Sequence, residues 1–194
     1  MKRYRWLVIL GVIIVVIIIY LLTTYNSLVK SEESVKRYFA DLHTTYQRRT
    51  DLIPNLVAVV QSAATYEQST FTQVAAARAK AASISISAEV NPEAFQQLEE
   101  VQGELANSVN RALGTVENYP NLKATKNFSA LQSQLEGTER RIKVARKDFN
   151  DAVATYNNKV RRFPSSIAAG IFGFRSKEGF SASAGASQAP EIKF

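Results

Sequence analysis

The chain has 194 residues, a formal net charge of +7 and no cysteine. That length accommodates one domain plus an anchor, and the missing thiols exclude disulfides, thiolate metal sites, a cysteine nucleophile and a lipidated-cysteine anchor. Setting Lys2, Arg3 and Arg5 aside leaves 21 Lys and Arg against 17 Asp and Glu, a surplus that reads as a solvated surface rather than a nucleic-acid footprint.

Residues 1–5 are a short basic lead-in. Residues 6–22, WLVILGVIIVVIIIYLL, are apolar throughout, and fourteen of them are Leu, Ile or Val. Together these favour the bilayer by about 4–8 kcal/mol on insertion scales. Thr23 and Thr24 carry the run to Tyr25, giving the roughly 20 residues that cross a hydrocarbon core. Trp6 and Tyr20 or Tyr25 fall where interfacial rings settle. The run is longer than a signal-peptide core and no A-x-A-like site follows it, so residues 6–25 read as a retained single-pass transmembrane anchor. Lys2, Arg3 and Arg5 before the span nearly balance Lys30, Lys36 and Arg37 after it. Large domains translocate largely regardless of charge, so the expectation is a domain outside the cytoplasm, on the inner or plasma membrane.

Residues 26–164 follow as a helical domain. Val35, Phe39, Leu42, Tyr46, Arg49, Ile53, Leu56, Val60 and Ala63 alternate by four and three, a coiled-coil-like seam with one polar member, Arg49. The pattern continues more loosely through Phe71, Val74 and Arg78 and predicts a first helix over 27–83, kinked at Pro54 because proline lacks the donor for its i−4 bond. SISISAEVNP, residues 83–92, reads as a loop, and Asn91-Pro92 as a helix start. Phe95, Leu98, Val101, Leu105, Val109, Leu113 and Val116 form the stripe of a second helix over 92–118. A turn at 118–121 leads into a third helix over 123–163, with Phe128, Leu131, Leu135, Thr138, Ile142, Ala145, Phe149, Ala152 and Tyr156 on its seam. Residues 165–194 are rich in Gly, Ser and Ala and read as a mostly irregular tail, although Ile171, Phe172, Phe174 and Phe180 are too apolar for pure disorder. Narrow seams of this kind are buried by packing the helices together. The expected fold is all-α: one transmembrane helix, then an antiparallel bundle of three long helices, or four if Pro54 divides the first.

Catalytic patterns such as HExxH, GxSxG, GxGxxG and the P-loop are absent from the sequence. The one histidine, His43, reads as a boundary residue, and Glu99-Glu100 and Glu136/Glu139 lack the Glu-x-x-His companions of a carboxylate metal bundle. The run Glu139-Arg140-Arg141 with Lys143, Arg146 and Lys147 reads as the wet face of the third helix, with acidic lipid or a partner as the functional alternative. Asn157 and Asn158 are candidates for hydrogen bonds across the bundle. Arg48 is expected off the seam and Arg49 on it. A buried guanidinium needs a hydrogen-bonded partner, with Glu136 or Glu139 available. The alternative is a rotated helix in which Arg49 reaches solvent along its own stem.

Several strings, taken in order, resemble the LemA family: Tyr25-Asn-Ser-Leu-Val29, Gln47-Arg-Arg-Thr-Asp-Leu-Ile-Pro-Asn-Leu-Val57, Ala77-Arg78, Tyr119-Pro-Asn-Leu-Lys123, Leu135-Glu-Gly-Thr-Glu-Arg-Arg-Ile142, Ala145-Arg146, Phe149-Asn150, Tyr156-Asn157 and Phe163-Pro164. They cover residues 25 to about 164, and Phe149 departs from a position where that family often shows tyrosine. The resemblance implies a bacterial membrane protein with one N-terminal span, a helical domain and no established catalytic activity. Arg48, Arg49, Asp51, Pro54, Asn55, Glu139, Arg146 and Asn157 stand as candidate structural or interaction residues, and the resemblance carries over no catalytic, cofactor or metal site. The expected function is a non-enzymatic scaffold or protein-interaction module of the cell envelope. It would contact the bilayer through residues 6–25 and bind another membrane or envelope protein, or itself, with no nucleic acid and no small-molecule substrate. The alternative is an oligomeric structural protein that shapes membrane through lipid contact.

Overall fold

A computed structural model of the chain describes residues 2–61, 68–84 and 92–180. Among these the chain is all-α, with six helices and no strand: α1 (Lys2–Gln61), α2 (Gln68–Ser83), α3 (Pro92–Val116), α4 (Pro120–Lys123), α5 (Lys126–Arg161) and α6 (Ser165–Phe172). They fall into two compact units, Phe39–Asp148 and a second built from Met1–Tyr38 with Phe149–Phe194. We call these the bundle unit and the anchor unit; α1 and α5 contribute residues to both.

In the bundle unit the alternation by three and four puts one stripe of each helix inward. Phe39, Leu42, Tyr46, Arg49, Ile53 and Leu56 of the α1 seam are all buried; the seam residues Val60, Ala63 and Phe71 lie outside the described side chains. Ile53 and Leu56 join Val74 and Ala81 of α2, Leu105 and Val109 of α3, and Leu131 and Leu135 of α5 in one apolar core. Each such fully buried side chain contributes about 1.5–3 kcal/mol of transfer free energy. On α3 the stripe keeps its alternation past Val109 by burying Ala112, while Leu113 is only half-buried. Along α1 from Tyr46 to Arg49 the partners on α5 run backwards from Arg146 to Glu139, so these two helices are antiparallel.

The first helix expected over 27–83 is described as α1 and α2, and residues 62–67 between them lie outside the described residues. Pro54 does not end α1, which continues to Gln61 before α2 begins at Gln68. Pro54 sits on the exposed side of α1, and the helix tolerates it there. The loop expected over 83–92 falls largely outside the described residues.

In the anchor unit, Leu28 and Val35 of α1 are buried, as are Phe149, Val153 and Tyr156 of α5 and Ala168 and Ala169 of α6. Towards the chain's start, Leu7 to Ile19 of α1 stand fully or half exposed, a helical stretch long and apolar enough to cross a membrane. The tail is ordered further than its composition suggests. Residues 165–172 form α6 because their small residues, Ala168 and Ala169, pack inward. Gly173 closes α6 in the left-handed conformation (φ 77°), and the Phe174 N–H donates to the Ala169 carbonyl at 2.9 Å. An extended segment then runs to Phe180.

Candidate functional site

The segment YQRRTDLIPNLV, residues 46–57, is a junction where other helices of the bundle unit are pinned to α1. Arg49 is 2% exposed. Its Nη1 donates to Glu139 Oε1 of α5 at 2.8 Å, and its Nη2 donates to the Gln102 carbonyl of α3 at 2.8 Å and to the Gln102 side-chain oxygen. Among the described residues its Nε finds no acceptor; the guanidinium carbon lies 5.5 Å from the centre of the Tyr46 ring, whose π face offsets part of the desolvation. The Tyr46 hydroxyl in turn accepts from Arg146 Nε of α5 at 2.8 Å. Burial raises the Tyr46 phenol above its ordinary range, against the opposing pull of the Arg146 and Arg49 cations.

Pro54 has a partner in this network that it never touches. A proline at position 54 leaves the carbonyl four residues back, Thr50, without its helical donor. Arg78 of α2 supplies one, its Nε donating to the Thr50 carbonyl at 3.2 Å. The helix breaker therefore creates the acceptor to which the next helix is tied. A buried carbonyl left unpaired would cost about 1–3 kcal/mol, so the pairing decides whether Pro54 is tolerable here.

The candidate residues separate by face. Arg49, Glu139 and Arg146 converge on the junction. Arg48, Asp51 and Asn55 stand on the exposed face of α1, three and four residues apart, and Pro54 lies beside them. Asp51 also borders an open cavity of about 440 Å³ that His43, Tyr46, Thr50, Arg78 and Gln102 help to line. Glu136, the other carboxylate available to Arg49, instead accepts from Gln132 at 3.0 Å on the surface. Arg140, Arg141, Lys143 and Lys147 are exposed.

Asn157 belongs to the anchor unit and does not join the junction. Its amide holds the extended tail segment in both directions: Nδ2 donates to the Lys177 carbonyl at 2.7 Å and Oδ1 accepts from the Lys177 N–H at 2.8 Å. Asn150, two helical turns earlier on the same face of α5, does the same to Phe180 at 3.1 and 2.8 Å. A Cβ on Gly179 would sit 2.7 Å from the Asn150 oxygen, so glycine is what lets the segment come this close. Sequence reasoning missed Gln102, which shows only as a polar residue between Val101 and Gly103. It also missed Asn150 as a clamp, although its seven-residue spacing from Asn157 was a usable signal.

Residues 38–194 match the sequence model of the LemA family. The chain belongs to the LemA family. Relatives of this LemA-family chain include the magnetosome proteins MamQ 1 and MamQ 2 of Paramagnetospirillum magneticum, each 25% identical over 185 residues that cover 86% of this chain and 68% of the relative. Magnetosome protein MamQ of Magnetospirillum gryphiswaldense is 25% identical over 178 residues, 82% of this chain and 65% of its own length. The family match takes in the whole bundle unit and, in the anchor unit, Tyr38 and the residues from Phe149 on, α6 and the clamped segment included.

Proposed function

We propose that this protein is a single-pass, membrane-anchored scaffold of the bacterial cell envelope, non-enzymatic, whose helical domain faces outside the cytoplasm and binds another membrane or envelope protein. The observation that carries the reading is the division of labour within residues 46–57. The inward residues Arg49 and Tyr46 are used up in holding α1 against α3 and α5. The outward residues Arg48, Asp51 and Asn55 form a polar stripe on a helix so braced. A braced helix bearing charged and amide groups suits recognition by a partner, because little backbone freedom remains to be lost on binding. The apolar stretch of α1 supplies the attachment.

Photo-crosslinking residues incorporated at Arg48, Asp51 and Asn55 of the full chain in its native membrane provide the test. The proposal expects a reproducible adduct with a protein of the envelope, weakened when the other two positions of the stripe are alanine. Only background labelling from all three positions would overturn it. Protease treatment of intact spheroplasts tests the orientation: digestion of the domain is expected, and full protection would place it in the cytoplasm.

A further inference from the structure

Beyond Tyr25, five large apolar side chains stand exposed among the described residues: Val144, Phe163, Ile167, Ile171 and Phe172. Four of them fall within ten residues on and just before α6. Ile167 and Ile171 are four residues apart and share a face of that helix, Phe163 stands exposed just before it, and Ala168 and Ala169 are buried. Phe163 is 76% exposed and Ile171 64%. A cluster of this kind on an otherwise polar domain marks a surface that is covered in use.

The location says what covers it. Tyr25 closes the apolar run of α1, at the position where an interfacial ring is expected. Its ring packs edge-on against Phe172 at 4.9 Å and Phe174 at 5.8 Å. One turn further from α6, Lys159 Nζ reaches Ser27 Oγ at 3.1 Å. The exposed face of α6 is therefore held at the level where α1 leaves the bilayer. Arg161, Arg162 and Arg175 border it and are exposed; Glu178 is the exposed acid nearby, and Lys177 is engaged with Glu32 at 2.9 Å. The border is thus net basic.

We propose that α6 is a membrane-surface foot: Phe163, Ile167, Ile171 and Phe172 enter the boundary between headgroups and acyl chains, and Arg161, Arg162 and Arg175 engage the phosphates of anionic lipid. A helix with one apolar face and basic flanks lies in that boundary by burying its apolar face and attracting anionic headgroups. The foot rests on reading α1 as a membrane span, and it holds whichever side of the membrane the domain occupies. It adds a second, lateral contact beside the span and so restricts rotation of the domain about α1.

The chain has no cysteine, so a single introduced thiol takes a polarity-sensitive fluorophore uniquely. The full chain is placed in nanodiscs of phosphatidylcholine with or without phosphatidylglycerol, carrying doxyl quenchers at shallow or deep acyl positions. Labels are set at Ile167→Cys or Ile171→Cys in the foot, Ile14→Cys in the span and Thr155→Cys on the exposed side of α5. The proposal expects the foot labels to be blue-shifted and quenched more by shallow than by deep doxyl, the Ile14 label quenched most by deep doxyl, and the Thr155 label by neither. Phosphatidylglycerol should strengthen the shallow quenching, and Arg161→Gln/Arg162→Gln/Arg175→Gln should remove that gain. A quenched span label beside foot labels as wet as Thr155 would overturn the foot alone. Blue-shifted foot labels that no lipid quencher reaches would also overturn it, since protein would then be the cover. An unquenched span label would overturn the membrane reading and the foot with it.

Discussion

The two units of this chain are held by different chemistry. The bundle unit has a continuous apolar core drawn from α1, α2, α3 and α5, into which one guanidinium is inserted and paired. The anchor unit has fewer buried apolar residues among those described and relies on two asparagines, each exchanging a pair of hydrogen bonds with an extended backbone. Apolar burial is strong but indifferent to register, since neighbouring stripe residues can trade places. Arg49 fixes register in the bundle unit because its donors are met by one particular carbonyl and one particular carboxylate. The asparagine amides fix register in the anchor unit by the same logic, applied to a segment that has no periodicity of its own.

That difference can be broken from either side. The largest effect belongs to the bundle core: Leu56→Ala, at a fully buried site, should lower stability by about 2–5 kcal/mol in denaturant unfolding. In the anchor unit, Asn157→Ala and Asn150→Ala should each cost about 1 kcal/mol or somewhat more and leave the bundle intact. They should also expose residues 173–180 to limited proteolysis at a rate well above that of the parent. Equal protection in parent and double variant would show that the amides do not hold the segment.

Alkali tests the anchor unit through its own buried phenol. Burial pushes Tyr156 of the anchor unit up to about 12, with Glu32 adding to the shift and the Arg175 amide working against it. A phenol whose folded value is raised binds its proton more tightly folded than unfolded, so its contribution to stability is complete below about pH 10 and is lost as pH rises towards 12. Thermal melts across that window should fall more steeply for the parent than for Tyr156→Phe, and identical slopes would contradict the assignment. The smallest expected effect concerns Pro54. Arg78→Leu should cost about 1 kcal/mol in the parent but clearly less in a Pro54→Ala background, because alanine returns a helical donor to the Thr50 carbonyl. Additive losses would separate Pro54 from Arg78.

Much of this was legible beforehand for a physical reason. A seam of alternating threes and fours constrains which side of each helix is wet; it put Arg49 on the seam and Arg48 off it, and left open whether Arg49 was buried or reached solvent along its stem. It could not choose between Glu136 and Glu139, which are three residues apart on one helix face, and it gave no hint of Gln102, whose backbone carbonyl contributes as much as its side chain. Pro54, the strong helix breaker of α1, does not divide it, because a proline on a solvent-facing side leaves a helix running. The i−4 arithmetic did point from Pro54 to Thr50, and only the donor was missing. Composition hid α6, since Ser, Ala and Gly read as irregular until Ala168 and Ala169 are seen to be the residues that pack.

Two adjacent residues of one type divide the roles of residues 46–57: Arg48 is exposed, and Arg49 is buried and paired. Denaturant unfolding of Arg48→Ala and Arg49→Ala in the full chain separates them most directly. Removing Arg49 should cost about 2–3 kcal/mol, since it leaves the buried Gln102 acceptors unpaired while Glu139, 46% exposed, returns to water, and removing Arg48 should stay within about 0.5 kcal/mol of the parent. Two small losses of the same size would contradict the junction, and with it the division of residues 46–57 into an inner face that holds the fold and an outer face left for a partner.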